Sequence, residues 1–573
     1  MKTVPICLLF FSLVAAACGA AETATPAASA TPGRPTSTPP PSATPATVPT
    51  PRSSPAAPSD PRPLLNHAGR YFSTAGSCTA CHTNLRDDAG RDVSLDRSWR
   101  STLLANAGRD PFFLASVRLE GAARPEARDQ LETSCAACHM PMAYFTAVSQ
   151  DQPATLLDGG FLDPDHELHN LAMDGVSCAL CHQIRDTNLG LPDSYNGGYV
   201  IDSEIPQGDR VMFGPYSIES DQAQVMQEVS GFTAAQGVHL SRSEVCATCH
   251  TWYVGPFGPG GEAFPVQVTY FEWFYSSFRR TETCQDCHMP EAQGGVRIAS
   301  TSPNPRSPFA EHSFPGANTY LLRILQAFAG ELGAPASDAH FSATISASET
   351  HLARDTATVT IEEAQRSGSR LRIEVLVENQ AGHKFPTGYP SRRAWLHVMV
   401  RDAAGQVVFE SGAAGADGSI AGDDGEADPG SFEPHYFAIV SPDQVQIYET
   451  ILQGTSGQIT TSLAQAVSYM KDNRLLPVGF EKSAPYEDLM VRGRAREDAD
   501  FVDGADRLQY SIDVGTAAGP LTVEVELLYQ SLGTRWIRGL RDASGAEIDQ
   551  FLRFADMVPN IPSVVALARV EVP

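Results

Sequence analysis

Five copies of the pentapeptide Cys-x-x-Cys-His constrain this chain of 573 residues more than any other feature of its sequence. They hold ten of its twelve cysteines. Two thiols three residues apart reach both vinyl groups of one porphyrin, and the histidine that follows reaches the iron. We therefore predict five covalently bound haem c groups. The residues that would bind them are Cys78, Cys81 and His82; Cys135, Cys138 and His139; Cys178, Cys181 and His182; Cys246, Cys249 and His250; and Cys284, Cys287 and His288.

Three other uses of paired cysteines fit the pattern less well. A zinc ribbon combines pairs of Cys-x-x-Cys motifs, so it leaves an odd number of copies and the histidine after each one unexplained. A redox Cys-x-x-Cys motif normally occurs once, in a βαβ unit. A disulfide framework suits an exported protein but gives no role to the five histidines. Covalent haem is therefore the favoured interpretation.

The N-terminus has the pattern of an export signal. A lysine precedes an apolar run over residues 6–17, which is too short to span a bilayer. The stretch Leu13-Val-Ala-Ala-Ala-Cys18-Gly19 resembles a bacterial lipoprotein processing site, although Ala15 stands where leucine is commoner. We predict a lipoprotein-type signal peptide at residues 1–18 and lipidation of Cys18. An ordinary cleaved signal peptide is the alternative.

The next segment and the charge balance indicate where the protein works. Residues 19–62 consist almost wholly of Ala, Thr, Pro and Ser and cannot bury a core, so we predict a disordered linker. The expected molecule is exported, anchored to a membrane by lipid, and faces the periplasm or the cell exterior. Its 67 acidic residues outnumber 41 basic ones, for a formal net charge of −26. This surplus argues against nucleic-acid binding and favours redox partners with a basic surface.

Residues 63–335 contain all five motifs and form the predicted multihaem cytochrome c domain, which should be mostly α-helical or irregular. Haem surface replaces much of the usual side-chain core there, and Gly and Pro interrupt nearly every interval. One clear helix is predicted over residues 96–107, ended by Gly108. The segments 183–215 and 251–266 are rich in Gly and Pro and are predicted loops.

The second axial ligand of each iron has candidates of two kinds. Five histidines outside the motifs precede residue 330, which matches a protein with two histidines on every iron; such irons are closed to substrate and transfer electrons. These candidates are His67, His166, His169, His239 and His312. His166 and His169 are three residues apart, so one of them need not be a ligand, and His383 is then the reserve candidate. Met140, Met142 and Met173 are alternatives that would raise a haem's potential, although methionine more often only packs.

Residues 340–573 contain no cysteine and alternate with a period of two, which predicts a β-sandwich-like domain. The clearest alternations run through residues 371–377, 396–400 and 521–527. A helix is predicted around residues 460–471. The fold class is therefore multidomain, with a mostly α-helical or irregular multihaem cytochrome c domain followed by this β-rich domain.

Two loops of the β-rich domain are candidate ligand sites. The acidic loop 417–428 offers Asp423, Asp424 and Asp428 to calcium, but it lacks EF-hand spacing, so a solvated loop is favoured. The segment Gly382-His-Lys-Phe-Pro-Thr-Gly-Tyr-Pro-Ser-Arg-Arg393 places His383 beside two arginines. Either it contacts a haem and its propionates across the domain boundary, or it is a packing loop with surface arginines.

These motifs resemble a known family. The segments Asp174-Gly-Val-Ser-Cys-Ala-Leu-Cys-His182-Gln, Cys284-Gln-Asp-Cys-His288-Met-Pro and His312-Ser-Phe-Pro-Gly-Ala-Asn are similar to those of multihaem c-type cytochromes related to the electron carriers of the hydroxylamine-oxidation group. Residues 382–393, 433–436, 443–449 and 471–477 resemble its larger members, which carry a β-rich tail. The resemblance covers residues 63–573. It implies closely packed haem pairs and electron transfer in respiration, without identifying a donor.

The favoured function is electron transfer in a respiratory or extracellular chain, with donor and acceptor proteins unknown. The alternative is a multihaem oxidoreductase that acts on a small nitrogen or sulfur compound at one haem with an open coordination position. Whether the chain is an enzyme is therefore left open, and no catalytic residue is assigned. A docking role for the β-rich domain and self-association of copies also stay open.

Overall fold

The computed structural model describes residues 61–206, 208–255, 263–483 and 486–573. The predicted signal peptide, Cys18 and all but the last two residues of the predicted linker lie outside these ranges. All described residues belong to one compact unit, Ser53–Pro573. Within the described ranges, no helix is both long enough and apolar enough to cross a membrane.

Most helices of the described chain are short. The α-helices are α1 Ala75–Thr79, α2 Leu95–Trp99, α3 Pro111–Ala123, α4 Arg128–His139, α5 Pro141–Val148, α6 His169–Met173, α7 Cys178–Cys181, α8 Ser220–Ser230, α9 Glu244–His250, α10 Thr269–Phe274, α11 Cys284–His288, α12 Thr319–Ala327, α13 Asp338–Asp355, α14 Asp424–Ala427, α15 Thr534–Arg541 and α16 Ala546–Met557. The 3₁₀ helices are Ala107–Arg109, Pro125–Ala127, Pro192–Ser194, Val238–Ser241, Ser277–Arg280, Leu463–Gln465, Glu487–Leu489 and Gly493–Arg496.

Strands are concentrated after residue 356. They are β1 Arg210–Gly214, β2 Phe232–Gln236, β3 Trp252–Val254, β4 Phe264–Gln267, β5 Ala357–Ser367, β6 Arg370–Asn379, β7 Arg393–Arg401, β8 Val407–Ser411, β9 Ala438–Ile439, β10 Ile447–Gly454, β11 Ile459–Thr460, β12 Ala466–Asp472, β13 Ala505–Asp513, β14 Leu521–Gln530 and β15 Ser563–Val572.

The region of the five motifs consists of short helices joined by irregular segments, as predicted. Helix α1 contains Cys78, and α4, α7, α9 and α11 contain the cysteine pairs of the other motifs. The predicted helix over residues 96–107 is wrong in extent, since α2 ends at Trp99 and turns follow. There the side chains of Thr102 and Asn106 donate to nearby backbone carbonyls and so compete with helical hydrogen bonds.

The two predicted loops of this region are largely irregular but not entirely so. The first, residues 183–215, ends in β1, which pairs in parallel with β2. The second, residues 251–266, contains β3 and the start of β4, which form an antiparallel pair. Both sheets have two strands, so they arrange short stretches of chain around the motifs without forming a separate core.

The β-rich region consists of two sheets that share one core. Strands β5, β6, β13 and β9 form a four-stranded sheet, and β7, β8, β10, β11, β12, β14 and β15 form a seven-stranded sheet. The predicted alternations lie on β6, β7 and β14, where Val375, Val398 and Val525 are fully buried in that common core. These strands are therefore confirmed, and side chains from both sheets meet as a sandwich requires.

The predicted helix at residues 460–471 is wrong. That stretch contains the end of β11, a 3₁₀ turn and most of β12. Both strands pair antiparallel with β10, so hydrogen bonding to a neighbouring strand replaces the local bonds of a helix.

Buried polar contacts connect the motif region with the β-rich region. Glu120 of α3 accepts the Ser462 hydroxyl at 2.6 Å and the N–H groups of Leu463 and Ala464 at 2.7 and 2.9 Å. Burial raises the pKa of the Glu120 carboxyl group, and these three bonds oppose that rise. Helix α3 also packs on α16 of the β-rich region. The two regions on either side of the predicted boundary at 335–340 thus share an interface.

Leu396 in β7 provides a test of the shared core. It is fully buried among side chains of both sheets. We expect Leu396→Ala to lower the free energy of unfolding by about 2–5 kcal/mol, because it removes apolar contacts and leaves a cavity. The control is Leu567→Ala on the exposed side of β15, which should change that free energy by less than about 0.5 kcal/mol. Urea unfolding followed by far-UV circular dichroism measures both, and equal shifts would contradict the shared core.

Candidate haem-attachment site

The ten motif cysteines lie together in one part of the structure, and all their thiols are free of disulfide bonds. Thiols of different motifs are close enough to shift one another's pKa in three pairs, Cys78–Cys178, Cys138–Cys249 and Cys246–Cys284. Burial raises the pKa of Cys181 to about 12, and the neighbouring Cys249 adds to that rise, so the third and fourth motifs adjoin as well. All five motifs therefore form one connected cluster.

Three of the five motif histidines are held in the tautomer that binds a metal through Nε2. The Nδ1 atoms of His82, His182 and His288 lie 2.6, 2.6 and 2.8 Å from backbone carbonyl oxygens. A carbonyl only accepts, so each Nδ1 carries a hydrogen and each Nε2 keeps its lone pair for a ligand bond. Burial lowers the pKa of all five rings, to about 4 in His139, His250 and His288, which keeps them neutral as metal ligation requires.

Two of these rings face a second histidine at the separation that a shared metal ion would impose. The ring centres of His182 and His312 are 6.3 Å apart, with planes inclined by 14°. Those of His288 and His383 are also 6.3 Å apart, with planes inclined by 6°. Two metal–nitrogen bonds of about 2 Å and two nitrogen-to-centre distances of about 1.2 Å add up to about 6.4 Å. Nδ1 of His312 and of His383 faces a carbonyl oxygen, at 3.1 and 2.9 Å, so each Nε2 is available.

The other histidine candidates differ in which ring nitrogen is available. Nδ1 of His169 lies 2.9 Å from a backbone carbonyl oxygen, which leaves Nε2 for a metal. Nδ1 of His166 instead accepts a backbone N–H at 3.1 Å, so its Nε2 carries the hydrogen. Nε2 of His239 lies 2.8 Å from a backbone carbonyl oxygen and is therefore occupied as a donor. His67 lies on an irregular segment whose backbone is bonded to Thr74. The roles of these four histidines stay predictions.

The three methionine alternatives lie in one hydrophobic cluster of the motif region. Met140 and Met142 are fully buried there, and Met173 is partly buried and packs against the same cluster. Their surroundings are those of core side chains, which is the packing role that methionine commonly has. A thioether bond to iron from any of them stays a prediction.

Buried polar atoms that lack a partner among the described residues also suit a bound haem. The Nε atoms of Arg109 and Arg306 and Oε1 of Gln285 make no hydrogen bond there. Burial lowers the pKa of Arg109 to about 10. An unused N–H on a buried guanidinium group is costly, whereas the propionates of a haem are anions that can accept from it. Both arginines lie in the motif region, so they fit a group that carries carboxylates, while Oε1 of Gln285 is an acceptor and gives no such indication.

The segment 382–393 lies against the motif region. A Cβ atom on Gly382 would be 3.3 Å from aromatic side chains of that region, so the approach requires glycine or a very small shift. Arg392 is close enough to His250 to contribute, after burial, to the lowered pKa of that ring. Arg393 instead bonds within the β-rich region. One arginine thus faces the motifs and the other does not, and contact with a haem stays a prediction.

The acidic loop 417–428 has partners of its own. Asp423 lies 3.1 Å from the Arg393 guanidinium group and accepts a backbone N–H at 2.8 Å. Asp428 accepts the Ser431 hydroxyl at 3.0 Å and another backbone N–H at 2.9 Å. These carboxylates stabilise the loop itself, so a calcium ion would have to displace an arginine from Asp423.

One buried cluster has the composition of a metal site. His435, Asp498 and Asp506 bring one nitrogen and two carboxylate oxygens within 4.8 Å of one another. Nδ1 of His435, however, accepts N–H groups from Gln446 and Asn473 at 2.9 and 3.2 Å. The oxygen of each amide accepts a backbone N–H, which fixes both amides in this orientation. Nε2 therefore carries the ring hydrogen and donates it to Asp498 at 3.0 Å, so no lone pair is left for a metal.

Sequence reasoning missed two residues near the motif at 284–288. The ring centre of His351, on α13, is 5.5 Å from that of His288. Glu272, on α10, is fully buried between the two regions. The sequence gives no signal for either residue. His351 is a single histidine on a long helix and Glu272 lies within an aromatic run, so neither has a spacing that indicates a ligand.

Comparisons with known proteins give one similar structure. No protein-family model matches the chain, and no curated protein matches it. Among solved structures, the chain is similar to the penta-heme cytochrome c552 from Thermochromatium tepidum, with 18% sequence identity and a TM-score of 0.43. The match covers 76% of this chain and 83% of that one. A likeness of this degree carries neither function nor ligands across, so the reasons to expect haem here are the chain's own motifs and histidines.

The hydrogen on Nε2 of His435 leads to a prediction about metal ions. We expect neither Zn²⁺ nor Mn²⁺ to raise the thermal unfolding midpoint through this cluster, and EDTA to leave it unchanged, because binding would require a lone pair that the tautomer lacks. The Asp506→Asn variant is the reference, since it removes one of the two carboxylates. A midpoint that rises with metal in the wild type but not in this variant would contradict the assignment.

Proposed function

We propose that this chain is an exported multihaem c-type cytochrome that carries electrons, with one haem at each Cys-x-x-Cys-His motif. The observation that carries the proposal is the placement of His312 opposite His182 and of His383 opposite His288, both at 6.3 Å. An iron with both axial positions occupied needs a motif histidine opposite a second ligand. The resemblance of the motifs to those of multihaem c-type cytochromes supports the same function.

In this proposal the protein's residues decide what a haem can do. Bound haem supplies reversible one-electron chemistry. His182 and His312 would hold one iron, and His288 and His383 another, while the cysteines of each motif attach the porphyrins. Carbonyl oxygens hold these four rings in the tautomer with Nε2 available. Two histidines on one iron would favour electron exchange and would exclude a substrate from that iron.

The thiol contacts between motifs suggest the order in which electrons would pass. The motif at 178–182 adjoins those at 78–82 and 246–250. The motif at 246–250 also adjoins those at 135–139 and 284–288. The proposed path therefore branches at the fourth motif instead of forming a single line.

Export and lipid attachment at Cys18 complete the proposal. Their support is the apolar run at residues 6–17 and the lipoprotein-like processing site after it. Two acyl chains or more would make the anchoring stable. A protein of net charge −26 held at a membrane surface would select donor and acceptor proteins with basic surfaces, because complementary charges speed encounter.

One observation favours the alternative, an oxidoreductase with a substrate-binding haem. Among the ring contacts of the described residues, His139 has Phe113 parallel to it at 3.6 Å and, like His82 and His250, has no second histidine. If the haem at one of these three motifs has no sixth ligand, its iron could bind a small molecule. The oxidoreductase would thus differ from the electron carrier in one respect, namely that one iron has a coordination position open to substrate.

Haem content and coordination test the proposed function. We expect the pyridine haemochrome assay to give five haems c per chain, and EPR of the oxidised protein to show low-spin iron at the two paired sites at least. Colourless protein, or zinc in place of iron, would end the proposal. Carbon monoxide added to the ferrous protein separates the two functions. Binding to one haem in five supports the oxidoreductase, and an unchanged spectrum supports the electron carrier.

Replacement of the second histidines tests their pairing with the motifs. His312→Ala and His383→Ala should each convert one low-spin iron to high spin and open it to carbon monoxide, because the sixth ligand is lost. His166→Ala and His239→Ala are matched controls, since Nε2 carries the hydrogen in both rings. EPR and carbon monoxide difference spectra measure all four variants. High-spin iron in the controls but not in the first two variants would show that the pairing is wrong.

A further inference from the structure

Glu272 links the motif region to the segment that carries His383. It lies on α10, is fully buried and accepts the Thr387 hydroxyl at 2.5 Å. Its other carboxylate oxygen accepts the Arg474 guanidinium group at 2.8 Å. Thr387 is four residues beyond His383 on the same segment, so one carboxylate of the motif region holds the β-rich region close to the histidine.

The contacts continue as a chain of buried charges that returns to His383. Arg474 donates to both oxygens of Asp472, at 2.9 and 2.8 Å, and Nζ of Lys384 donates to Asp472 at 2.8 Å. Lys384 directly follows His383, and its carbonyl oxygen is the acceptor for Nδ1 of that histidine at 2.9 Å. The network thus fixes the segment at Lys384 and again at Thr387.

The four charged side chains of this network balance one another. Glu272 and Asp472 are negative, Lys384 and Arg474 are positive, and none of these side chains is more than 9% exposed. Burial alone would raise the pKa of Asp472, but Arg474 and Lys384 hold it well below its usual range. Because these charges are shielded from water, removal of one of them leaves an uncompensated charge beside His383.

We infer that Glu272 is a positioning residue for the iron ligand His383, and that its negative charge offsets the cations beside that ligand and so limits the reduction potential of the haem at 284–288. The inference rests on the proposed function. A carboxylate with a structural role alone would contribute to stability without deciding whether one particular iron keeps its sixth ligand. Coordination and potential are therefore the properties to measure.

Two variants of Glu272 separate position from charge in the full-length haem protein. Glu272→Ala removes both contacts, and we expect high-spin iron and carbon monoxide binding at one haem in five, above the wild-type level and equal to the gain in His383→Ala. The double variant Glu272→Ala/His383→Ala should gain no more high-spin iron and bind no more carbon monoxide than either single variant, because both substitutions act on the same iron. Glu272→Gln keeps one oxygen that can accept from Arg474, and its amide N–H can donate to the Thr387 hydroxyl, so both contacts survive and the iron should stay low-spin. Its redox titration should show one haem shifted to higher potential, because two buried cations then face one anion.

Glu120 supplies the matched control. It is another buried carboxylate that reaches from the motif region into the β-rich region, but its partners are Ser462, Leu463 and Ala464 and not the segment of His383. We expect Glu120→Ala to produce no high-spin signal of the kind seen in His383→Ala. Far-UV circular dichroism and haem content show whether each variant is folded and loaded.

The possible results separate the inference from the function on which it rests. If Glu272→Ala stays low-spin with its full haem content, or if Glu120→Ala gains the same high-spin signal, the inference is wrong and the proposed function stands. If the wild type contains no haem, the proposed function itself fails. If Glu272→Ala does not fold, Glu272→Gln decides, and an unchanged set of potentials overturns the inference.

Discussion

A carbonyl oxygen beside a histidine ring is the contact on which the arrangement of the motif region depends. It fixes the hydrogen on Nδ1 and turns Nε2 toward the place where a metal would bind. The acceptors for the rings of His82, His182 and His288 come from Ile298, Phe213 and Pro315, far away in sequence. Two of these acceptors, Ile298 and Pro315, lie on segments without regular secondary structure, which are therefore held in place by the rings that they orient, and Phe213 lies in the short strand β1. This explains how a region of very short helices can have a defined structure.

The β-rich region takes part in the same arrangement. It provides His383, and the segment around that residue approaches α10 through glycine and a buried ionic network. Two carboxylates of the motif region, Glu120 and Glu272, reach in the opposite direction and bind groups of the β-rich region. Charged groups buried in this way favour one relative placement of the two regions, because a shift would leave several of them unpaired.

Local patterns made part of this structure predictable. The alternations on β6, β7 and β14 identified three strands correctly, since each side chain's face follows directly from the period of two. Residues 96–107 and 460–471 were assigned wrongly, because side-chain hydrogen bonds from Thr102 and Asn106 in one case and pairing with β10 in the other outweighed helical preference. Neither these side-chain hydrogen bonds nor the pairing with β10 can be predicted from the hydrophobic pattern of a short stretch of sequence.

The residues of the candidate site also fall into two groups, those that local spacing predicts and those that depend on contacts in the folded chain. Spacing alone predicts the motif cysteines and histidines as haem-binding residues, whereas a choice among the other histidines depends on which ring nitrogen faces a carbonyl. The large separation in sequence between His383 and every motif makes this histidine only a reserve candidate, and no local pattern marks Glu272. The tautomer of His435 likewise depends on two amides whose own partners are backbone N–H groups on distant strands. The tautomer of a buried histidine therefore depends on the folded structure and cannot be predicted from the sequence near that histidine.

The long interval between His288 and His383 has a consequence for biogenesis. If the chain is exported and binds haem as proposed, the motif at 284–288 would emerge before the strands that follow it, so a porphyrin could be attached there while the β-rich region is still unfolded. In the proposed arrangement its iron gains an opposing imidazole only when those strands have folded and docked. Maturation of this one cofactor would then be the last step, and its spectrum would report that the whole polypeptide has reached its final form.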